Sequence, residues 1–229
     1  MAKRLDIVFD KDDVVRERVT VAVIPIDGFT GRAVGRGVRA SIVGHANHPR
    51  RNLSGMLVFV DLAEQAGPYE IRVDASEAGY FNETVRFPEA GNSEHAKKRV
   101  VVPLLRQPGA PLESETTYAS GEVRLRGVPV ADARVTARPA VSIDAPFDAE
   151  RPTFHARTNE RGAFVIPMRL PEPAEGEAGT EVLFHFQAGY YERELEKTLV
   201  DGAFHSFQQP IDVAETGGGP DLLAPGSGI

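Results

Sequence analysis

The stretch TNERGAF, residues 158–164, is typical of a tight turn that leads into a β-strand. Asn159 can hydrogen-bond its own backbone in a turn, and Gly162 can adopt the positive φ that such turns require. The stretch RNLSGMLVF, residues 51–59, repeats this pattern with the same spacing between its asparagine and its glycine. One chain therefore contains the same turn and strand twice, and this indicates an internal repeat.

The residues around each turn repeat in the same order. In GEVRLRGVPVADARVTARP, residues 121–139, apolar side chains alternate with charged ones on both sides of a GVP turn, as in half-buried strands. The first copy supplies GRGVRASIVG, residues 35–44, as its counterpart. Further along, YEIRVDASEAGYF (residues 69–81) matches TEVLFHFQAGYY (residues 180–191). Three matches in one order favour duplication over chance similarity of short strands.

Short alternating strands, separated by turn signals every 8–12 residues and repeated over about 100 residues, indicate β-sandwiches. We therefore predict an all-β protein of two tandem antiparallel β-sandwiches, residues 1–107 and 118–214. The Pro-rich polar segment 108–117 is predicted to be a linker that permits motion. Residues 215–229 lack periodicity and are predicted to form a flexible C-terminal tail.

The second copy resembles a known family. Its segments GEVRLRGVPVADARVTARP, TNERGAFVI and AGYY are similar to the carboxypeptidase regulatory-like domain, a prealbumin-like (transthyretin-like) sandwich of Ig-like architecture. The first copy follows the pattern more loosely. The resemblance implies a sandwich whose motif residues build turns and core and carry no catalytic apparatus. It also implies an accessory or interaction module attached to something else.

Composition excludes several classes of protein. The chain has 229 residues, 41% hydrophobic and 26% charged, with a formal net charge of −7. That acidity argues against a nucleic-acid partner, which requires a basic surface. The chain has no cysteine, so disulfides and cysteine-based sites are excluded. Neither a signal peptide nor an apolar run of membrane-spanning length is present, so we expect no membrane association and a cytoplasmic location.

The loop GHANHPRR, residues 44–51, has the most site-like composition. His45 and His48 could ligate a metal, and Arg50 and Arg51 could bind an anion. A metal site needs a third ligand, and no motif supplies one. The alternative is a polar loop between strands, and we therefore predict no metal and no cofactor, with the four residues kept as candidate interaction residues.

A long insertion, residues 142–157, is the second candidate interaction region, because long loops in compact domains are often functional. Phe147 and Phe154 lie within it and are predicted to be exposed anchors for a protein or a carbohydrate. His155, His185 and His205 have no nucleophile or orienting carboxylate at a recognisable spacing. We predict that these histidines are surface or half-buried residues without a catalytic role.

The tyrosines Tyr80, Tyr190 and Tyr191 follow a glycine at matched places in the two copies. A tyrosine at a strand corner can pin the turn by hydrogen-bonding backbone. We predict this structural role for them, rather than a role as iron ligands.

Three functional hypotheses follow. The first is a non-catalytic structural or protein-interaction module that attaches to a larger assembly through loops and sheet edges. The second is a small-molecule or carbohydrate-binding β-sandwich. The third and lowest-ranked is a metal-dependent enzyme that uses the histidine-bearing loops; the chain is predicted not to be an enzyme.

Overall fold

The computed structural model describes residues 19–60, 62, 68–87, 99–114, 116–139, 152–173, 176–214 and 222–223. In this part of the chain the regular structure consists of β-strands and one 3-10 turn, Ser76–Ala78. The predicted all-β class is confirmed.

The first seven strands form two sheets around one apolar core. The sheet orders are β3-β4-β1-β7 and β2-β5-β6, and we call them together the first sheet pair. Phe59 and Ile71, one from each sheet, are buried in the shared core. The strands are β1 (Val19–Asp27), β2 (Arg39–Ile42), β3 (Arg50–Arg51), β4 (Leu57–Val60), β5 (Tyr69–Asp74), β6 (Glu83–Phe87) and β7 (Arg99–Leu104).

The remaining strands form a second sheet pair around a separate core. Its orders are β11-β10-β13-β14 and β12-β8-β15-β17, with β9 and β16 also paired to β8. Phe164, Phe184 and Phe207 meet in this core. The strands are β8 (Thr117–Leu125), β9 (Val128–Pro129), β10 (Arg134–Pro139), β11 (Phe154–Arg157), β12 (Ala163–Met168), β13 (Thr180–Ala188), β14 (Tyr191–Leu199), β15 (Phe204–Phe207), β16 (Ile211–Asp212) and β17 (Leu222–Leu223).

The alternation in the sequence maps onto the sheet faces. In β5, Tyr69, Ile71 and Val73 are buried, and the charged residues between them are not. Strand β12 departs from this rule, because the structure buries Val165 as well as its neighbours Phe164 and Ile166. Strand β12 is therefore covered on both faces.

The sheets are mixed rather than purely antiparallel, so the predicted antiparallel arrangement is wrong in part. Strand β7 runs parallel to β1, and β15 and β16 run parallel to β8. Tight hairpins force antiparallel pairing, whereas strands joined through the opposite sheet can pair either way. Sequence alternation carries no information about that direction.

The predicted linker is held in place at both ends. Thr117, its last residue, is buried within β8. Arg106 donates to the Pro111 carbonyl at 3.0 Å and to Glu113 Oε1 at 3.0 Å. The described residues of the segment thus contact the first sheet pair, and the mobility of the linker stays a prediction.

Two other predicted segments contain strands. Residues 154–157 of the predicted insertion form β11, which pairs with β10. Leu222 and Leu223, within the predicted flexible tail, pair with β15. Residues 140–151, and with them Phe147, lie outside the described residues.

The repeated turn is confirmed at the level of hydrogen bonds. In the second copy, the amide of Ala163 donates to Asn159 Oδ1 at 3.1 Å, and the amide of Gly162 donates to the Asn159 carbonyl at 2.9 Å. In the first copy, the amides of Met56 and Gly55 donate to the same two groups of Asn52 at 2.9 and 3.0 Å. In both turns the asparagine side chain therefore accepts a hydrogen bond from the backbone amide four residues further on.

Candidate functional site

A cleft of about 540 Å³ lies between the two sheet pairs. Phe81, Asn82 and Gln107 line it from the first sheet pair. The repeated turn, residues 158–161, lines it from the second, together with Asp132 and Arg157. Because the two sides come from different copies of the repeat, the cleft exists only when both are folded and in contact.

Arg157 joins the two sides of the cleft. Its Nη2 donates to the Asn82 carbonyl at 3.0 Å and lies 3.4 Å from Glu83 Oε1. Its guanidinium carbon lies 4.7 Å from the centroid of the Phe81 ring, within the range of a cation–π contact. We call this set the Arg157 clasp. Burial raises the pKa of the Glu83 carboxyl, Asp132 adds to this rise, and the charge of Arg157 opposes it.

A second contact between the sheet pairs is aromatic. The Phe29 and Phe154 ring centroids are 6.3 Å apart, and the Arg169 guanidinium lies 5.1 Å from the Phe29 ring centroid. Phe154 also packs against the second core. The prediction of Phe154 as an exposed anchor is therefore wrong, since its ring is partly buried between the two sheet pairs.

Thr158 and Gly162 fix the turn that faces the cleft. The buried hydroxyl of Thr158 donates to the Val130 carbonyl at 2.6 Å and accepts from the Ala133 amide at 2.8 Å. A side chain at Gly162 would meet the Val123 carbonyl oxygen at 2.5 Å. These contacts fix the base of the turn. The side chains at its tip, Glu160 and Arg161, make no hydrogen bond or ion pair with other described residues.

The predicted histidine–arginine loop holds no assembled site among the described residues. The His45 ring lies edge-on to Tyr69, with centroids 5.7 Å apart. Arg51 donates to the carbonyls of Gly55 and Val38, so its charge supports the repeated turn. Within the described residues no group of three or more His, Asp or Glu side chains could hold a metal ion, near His48 or elsewhere. Arg50 lies in the short edge strand β3.

The other histidines that the structure describes, His155, His185 and His205, have different surroundings. His205 is only 2% exposed, and its Nε2 lies 3.1 Å from both the amide and the carbonyl of Val200, so the surface prediction is wrong for it. Burial and the charge of Arg138 lower the pKa of His155. His185 Nε2 lies 3.6 Å from Glu192 Oε2 on the outer face of the sheet.

Tyr80 is part of a buried ionic network. Its hydroxyl donates to Asp27 Oδ2 at 2.7 Å, and Arg106 Nε donates to the same oxygen at 2.7 Å. Burial, with the hydrogen bond to Asp27, raises the pKa of Tyr80 to about 12. Burial alone would raise the pKa of Asp27, but hydrogen bonds from the Thr30 amide, Tyr80 and Arg106 hold it below its ordinary value. The predicted structural role of Tyr80 holds, although its partner is a carboxylate rather than backbone.

Tyr190 is fully exposed at the tip of the β13–β14 hairpin, so a corner-pinning role is wrong for it. Tyr191 lies beside it and accepts a hydrogen bond from Arg126 Nη2 at 3.0 Å. The Arg126 guanidinium is 5.7 Å from the Tyr191 ring centroid. Val128, close by in β9, is also exposed. We call these four residues the tip cluster.

The backbone beneath the tip cluster is held in an unusual conformation. Arg126 has a φ of 53°, which is uncommon for a residue other than glycine. Asp212 stabilises it by accepting from the Arg126 amide at 2.9 Å and the Gly127 amide at 2.6 Å. Burial would raise the pKa of Asp212, but the hydrogen bonds from Ala214, Arg126 and Gly127 lower it. Residues held in this way cluster at functional sites, so the tip cluster is a second candidate site.

Sequence reasoning missed Arg157, Asp132 and Arg126 as site residues. Each is one charged residue among many, and neither the Arg157 clasp nor the tip cluster is local in sequence. Only Arg126 could have been found from the sequence. The residues RGVP, 126–129, mark a tight hairpin, and the first residue of such a turn can adopt a positive φ. Within the described residues, no helix has the length and apolar character that crossing a membrane requires.

Comparison with known proteins yields no family. No protein-family model matches the chain, and no curated protein matches it. The resemblance to the carboxypeptidase regulatory-like domain therefore stays a prediction.

Solved structures give distant similarities only. A protein from Bacteroides fragilis described as a candidate cell adhesion protein is 11% identical, covers 92% of this chain and 98% of its own, and has a TM-score of 0.32. A streptococcal ancillary pilin is 12% identical, with coverages of 86% and 61% and a TM-score of 0.25. A family CBM26 module of Eubacterium rectale Amy13K, solved with maltoheptaose, is 10% identical, with coverages of 90% and 99% and a TM-score of 0.25. Scores this low support no functional argument for this chain.

Proposed function

We propose that this chain is a non-catalytic structural or protein-interaction module that attaches to a larger protein assembly. The observation that carries the proposal is the tip cluster. Tyrosine and arginine are the residue types that most often dominate protein interfaces. Here Tyr190 is exposed at a hairpin tip, Tyr191 is stacked with Arg126, and Asp212 holds the backbone beneath them. Tyrosine loses little conformational entropy on binding because it has only two χ angles, and the contact with Tyr191 already restricts Arg126.

The proposal includes the finer architecture. We propose that the two sheet pairs are tandem prealbumin-like sandwiches of the carboxypeptidase regulatory-like type, with domains at residues 1–107 and 118–214. The separate apolar cores and the repeated turn support this division. The Arg157 clasp and the Phe29–Phe154 contact then hold the two sandwiches at a set angle. The cytoplasmic location stays a prediction.

Sheet edges provide the second part of the proposed contact surface. Strand β14 pairs with β13 along nine residues, and among the described strands β13 is its one partner. A strand edge of this length with no partner among the described strands can accept another strand. Glu192, Glu194 and Glu196 face outward on β14, so pairing two copies of this edge would oppose like charges, which is destabilising. This favours a different protein as partner over a second copy.

The test is a tagged pull-down of the full chain from native lysate, read by mass spectrometry. We expect one protein at near-equal amount with the parent chain. The double variant Tyr190→Ala/Arg126→Ala should recover at least about tenfold less, because interface anchors of this type contribute about 2 kcal/mol or more.

The matched control is Val101→Ala, which truncates an exposed side chain on β7 far from the tip cluster in sequence. Near-UV circular dichroism of all variants checks that the fold is intact. Equal recovery by the double variant and the control, or recovery of no protein by the parent, would contradict the proposal.

The second candidate function is a small-molecule or carbohydrate binder, and the cleft between the sheet pairs favours it. Its volume falls within the about 300–1,000 Å³ typical of small-molecule sites, and such sites occur preferentially between domains. Of the predicted anchors of a carbohydrate site, Phe154 does not line the cleft, and Phe147 lies outside the described residues.

A further inference from the structure

The cleft between the sheet pairs presents hydrogen-bonding groups that the fold does not use. Asn82 Oδ1 accepts from the Ala75 amide, which leaves the Asn82 side-chain N–H groups uncommitted. Gln107 Nε2 donates to the Tyr80 carbonyl, which leaves Gln107 Oε1 as an acceptor. In both residues, a hydrogen bond that stabilises the fold holds one end of the side-chain amide and thereby orients the other end. Planar amides fixed in this way bind polar ligands at low entropic cost.

The repeated turn adds donors and acceptors from the opposite wall. Asn159 Oδ1 accepts from the Arg161 and Ala163 amides, and its side-chain N–H groups have no partner among the described residues. Glu160 and Arg161 are exposed at the tip, and their side chains make no hydrogen bond or ion pair with other described residues. Both walls therefore offer donors and acceptors side by side.

The charges of the cleft balance. Arg157 and Arg161 are offset by Asp132 and Glu160, which line the same space. A site for an anion or a cation concentrates charge of one sign. A cleft with balanced charges and free amide groups matches a neutral ligand whose groups both donate and accept hydrogen bonds. Neighbouring hydroxyls of a sugar are such groups.

Two further observations bear on how such a ligand is held. Arg157 Nε is buried and forms an ion pair with Asp132 Oδ1 at 3.3 Å, although it makes no hydrogen bond with a described residue. An acceptor oxygen beside it is thus already supplied by the protein, and the hydrogen-bonding capacity left for a ligand lies in the amides and at the turn tip. Phe81 is 8% exposed, and the Arg157 guanidinium lies over its ring, so the ring is not a stacking platform. Recognition here would depend on hydrogen bonds rather than on ring stacking.

We propose that the cleft between the two sheet pairs is a binding site for a neutral saccharide, which accepts hydrogen bonds from Asn82, Asn159 and Arg161 and donates hydrogen bonds to Gln107 Oε1 and Glu160. This inference rests on the second candidate function and specifies its ligand class. Binding across the cleft also bridges the two sheet pairs, so the ligand reinforces the Arg157 clasp.

The test is NMR titration of the ¹⁵N-labelled full chain with maltotriose, cellotriose and mannotriose, and with trigalacturonate as an anionic probe of similar size. Concentrations extend to about 10 mM, because a few hydrogen bonds give affinities near 1 mM, about −4 kcal/mol. We expect saturable shifts with at least one neutral trisaccharide, confined to amides of residues 81–82, 107 and 158–161.

The variant Glu160→Ala/Arg161→Ala should weaken that affinity about tenfold, since it removes two hydrogen-bonding side chains. Its melting temperature should match the parent, because both side chains are exposed and neither makes a hydrogen bond or ion pair with another described residue. Glu194→Ala, on the outer face of β14, is the matched control and should bind as the parent does.

Three outcomes would overturn the inference. They are the absence of cleft shifts with every neutral probe, shifts with trigalacturonate alone, and an affinity that the double variant leaves unchanged. Binding of trigalacturonate alone would leave a small-molecule binder standing and remove the neutral class. The pull-down of the tip cluster uses different variants, so its result stands apart from this one.

Discussion

The turn at Asn52 and the turn at Asn159 are built by the same hydrogen bonds and have different surroundings. In the first copy, a side chain at Gly55 would meet only the Gly35 Cα, at 3.6 Å. In the second, a side chain at Gly162 would meet backbone at 2.5 Å. Local sequence therefore builds the turn, and the neighbouring strands decide whether it is exposed at a tip or packed beside a cleft.

The Gly-Tyr corners of the two copies diverge further. Tyr80 is tied to the buried Asp27 and Arg106, whereas Tyr190 is exposed at a hairpin tip. Both copies of the repeat thus have the same turn, but the tyrosine differs in its role. It stabilises the fold in the first copy and, as proposed above, forms part of a protein-contact surface in the second. The following substitutions test this difference, beginning with the largest expected effect.

Asp27→Asn should lower the free energy of unfolding by about 3–5 kcal/mol, because it removes the buried carboxylate that pairs with Arg106 Nε and leaves Arg106 with the more exposed Glu113 alone. Urea denaturation at pH 7 measures the change. Asp132→Asn, at a largely exposed carboxylate, is the matched control and should change stability by less than about 1 kcal/mol. A small effect at both positions would contradict a stabilising role of the network.

The pH dependence of this difference has a defined sign. The pKa of Asp27 is lowered in the folded state, so its contribution is present above the unfolded-state pKa of about 3.9. It is lost as the pH falls through the folded-state pKa. The gap between the parent and Asp27→Asn should stay constant from neutral pH down to about 5 and shrink below about 4. A gap that widens on acidification would show that the charge of Asp27 is not responsible.

Gly162→Ala should lower the free energy of unfolding by about 2–5 kcal/mol. Alanine is strained in the left-handed backbone conformation of this position, and its Cβ would overlap the Val123 carbonyl oxygen. Gly55→Ala has the same backbone requirement and open space, so about 1–2 kcal/mol is expected. Thermal unfolding of the two variants side by side measures the difference. Equal losses would mean that the surroundings of the two turns do not differ in energy.

Tyr80→Phe should lower stability by about 1.5–3 kcal/mol, because it removes a hydrogen bond to a buried carboxylate. Tyr190→Phe should change stability by less than about 0.5 kcal/mol, since its hydroxyl is in solvent. Chemical denaturation of both variants gives the comparison. A loss at Tyr190 as large as at Tyr80 would restore the predicted corner-pinning role for both.

Sequence reasoning reached the all-β class, the alternating strands and both turns, because each depends on residues a few places apart. It did not reach the sites. His45, His48, Arg50 and Arg51 were chosen by residue type, and no metal group forms around them in the described residues. Phe154 was chosen as an exposed aromatic in a loop, but pairing of β11 with β10 turns its ring toward Phe29.

The sequence by itself determined the alternating strands and the paired turns, since hydrophobic periodicity and the chemistry of Asn and Gly act within a few residues. Tertiary structure alone decided the parallel pairing of β1 with β7, the burial of Asp27 beside Arg106, and the contact of Arg157 with Phe81. These contacts join residues 75 or more positions apart. Their energies depend on distance in space and on burial, and neither is encoded in any local pattern.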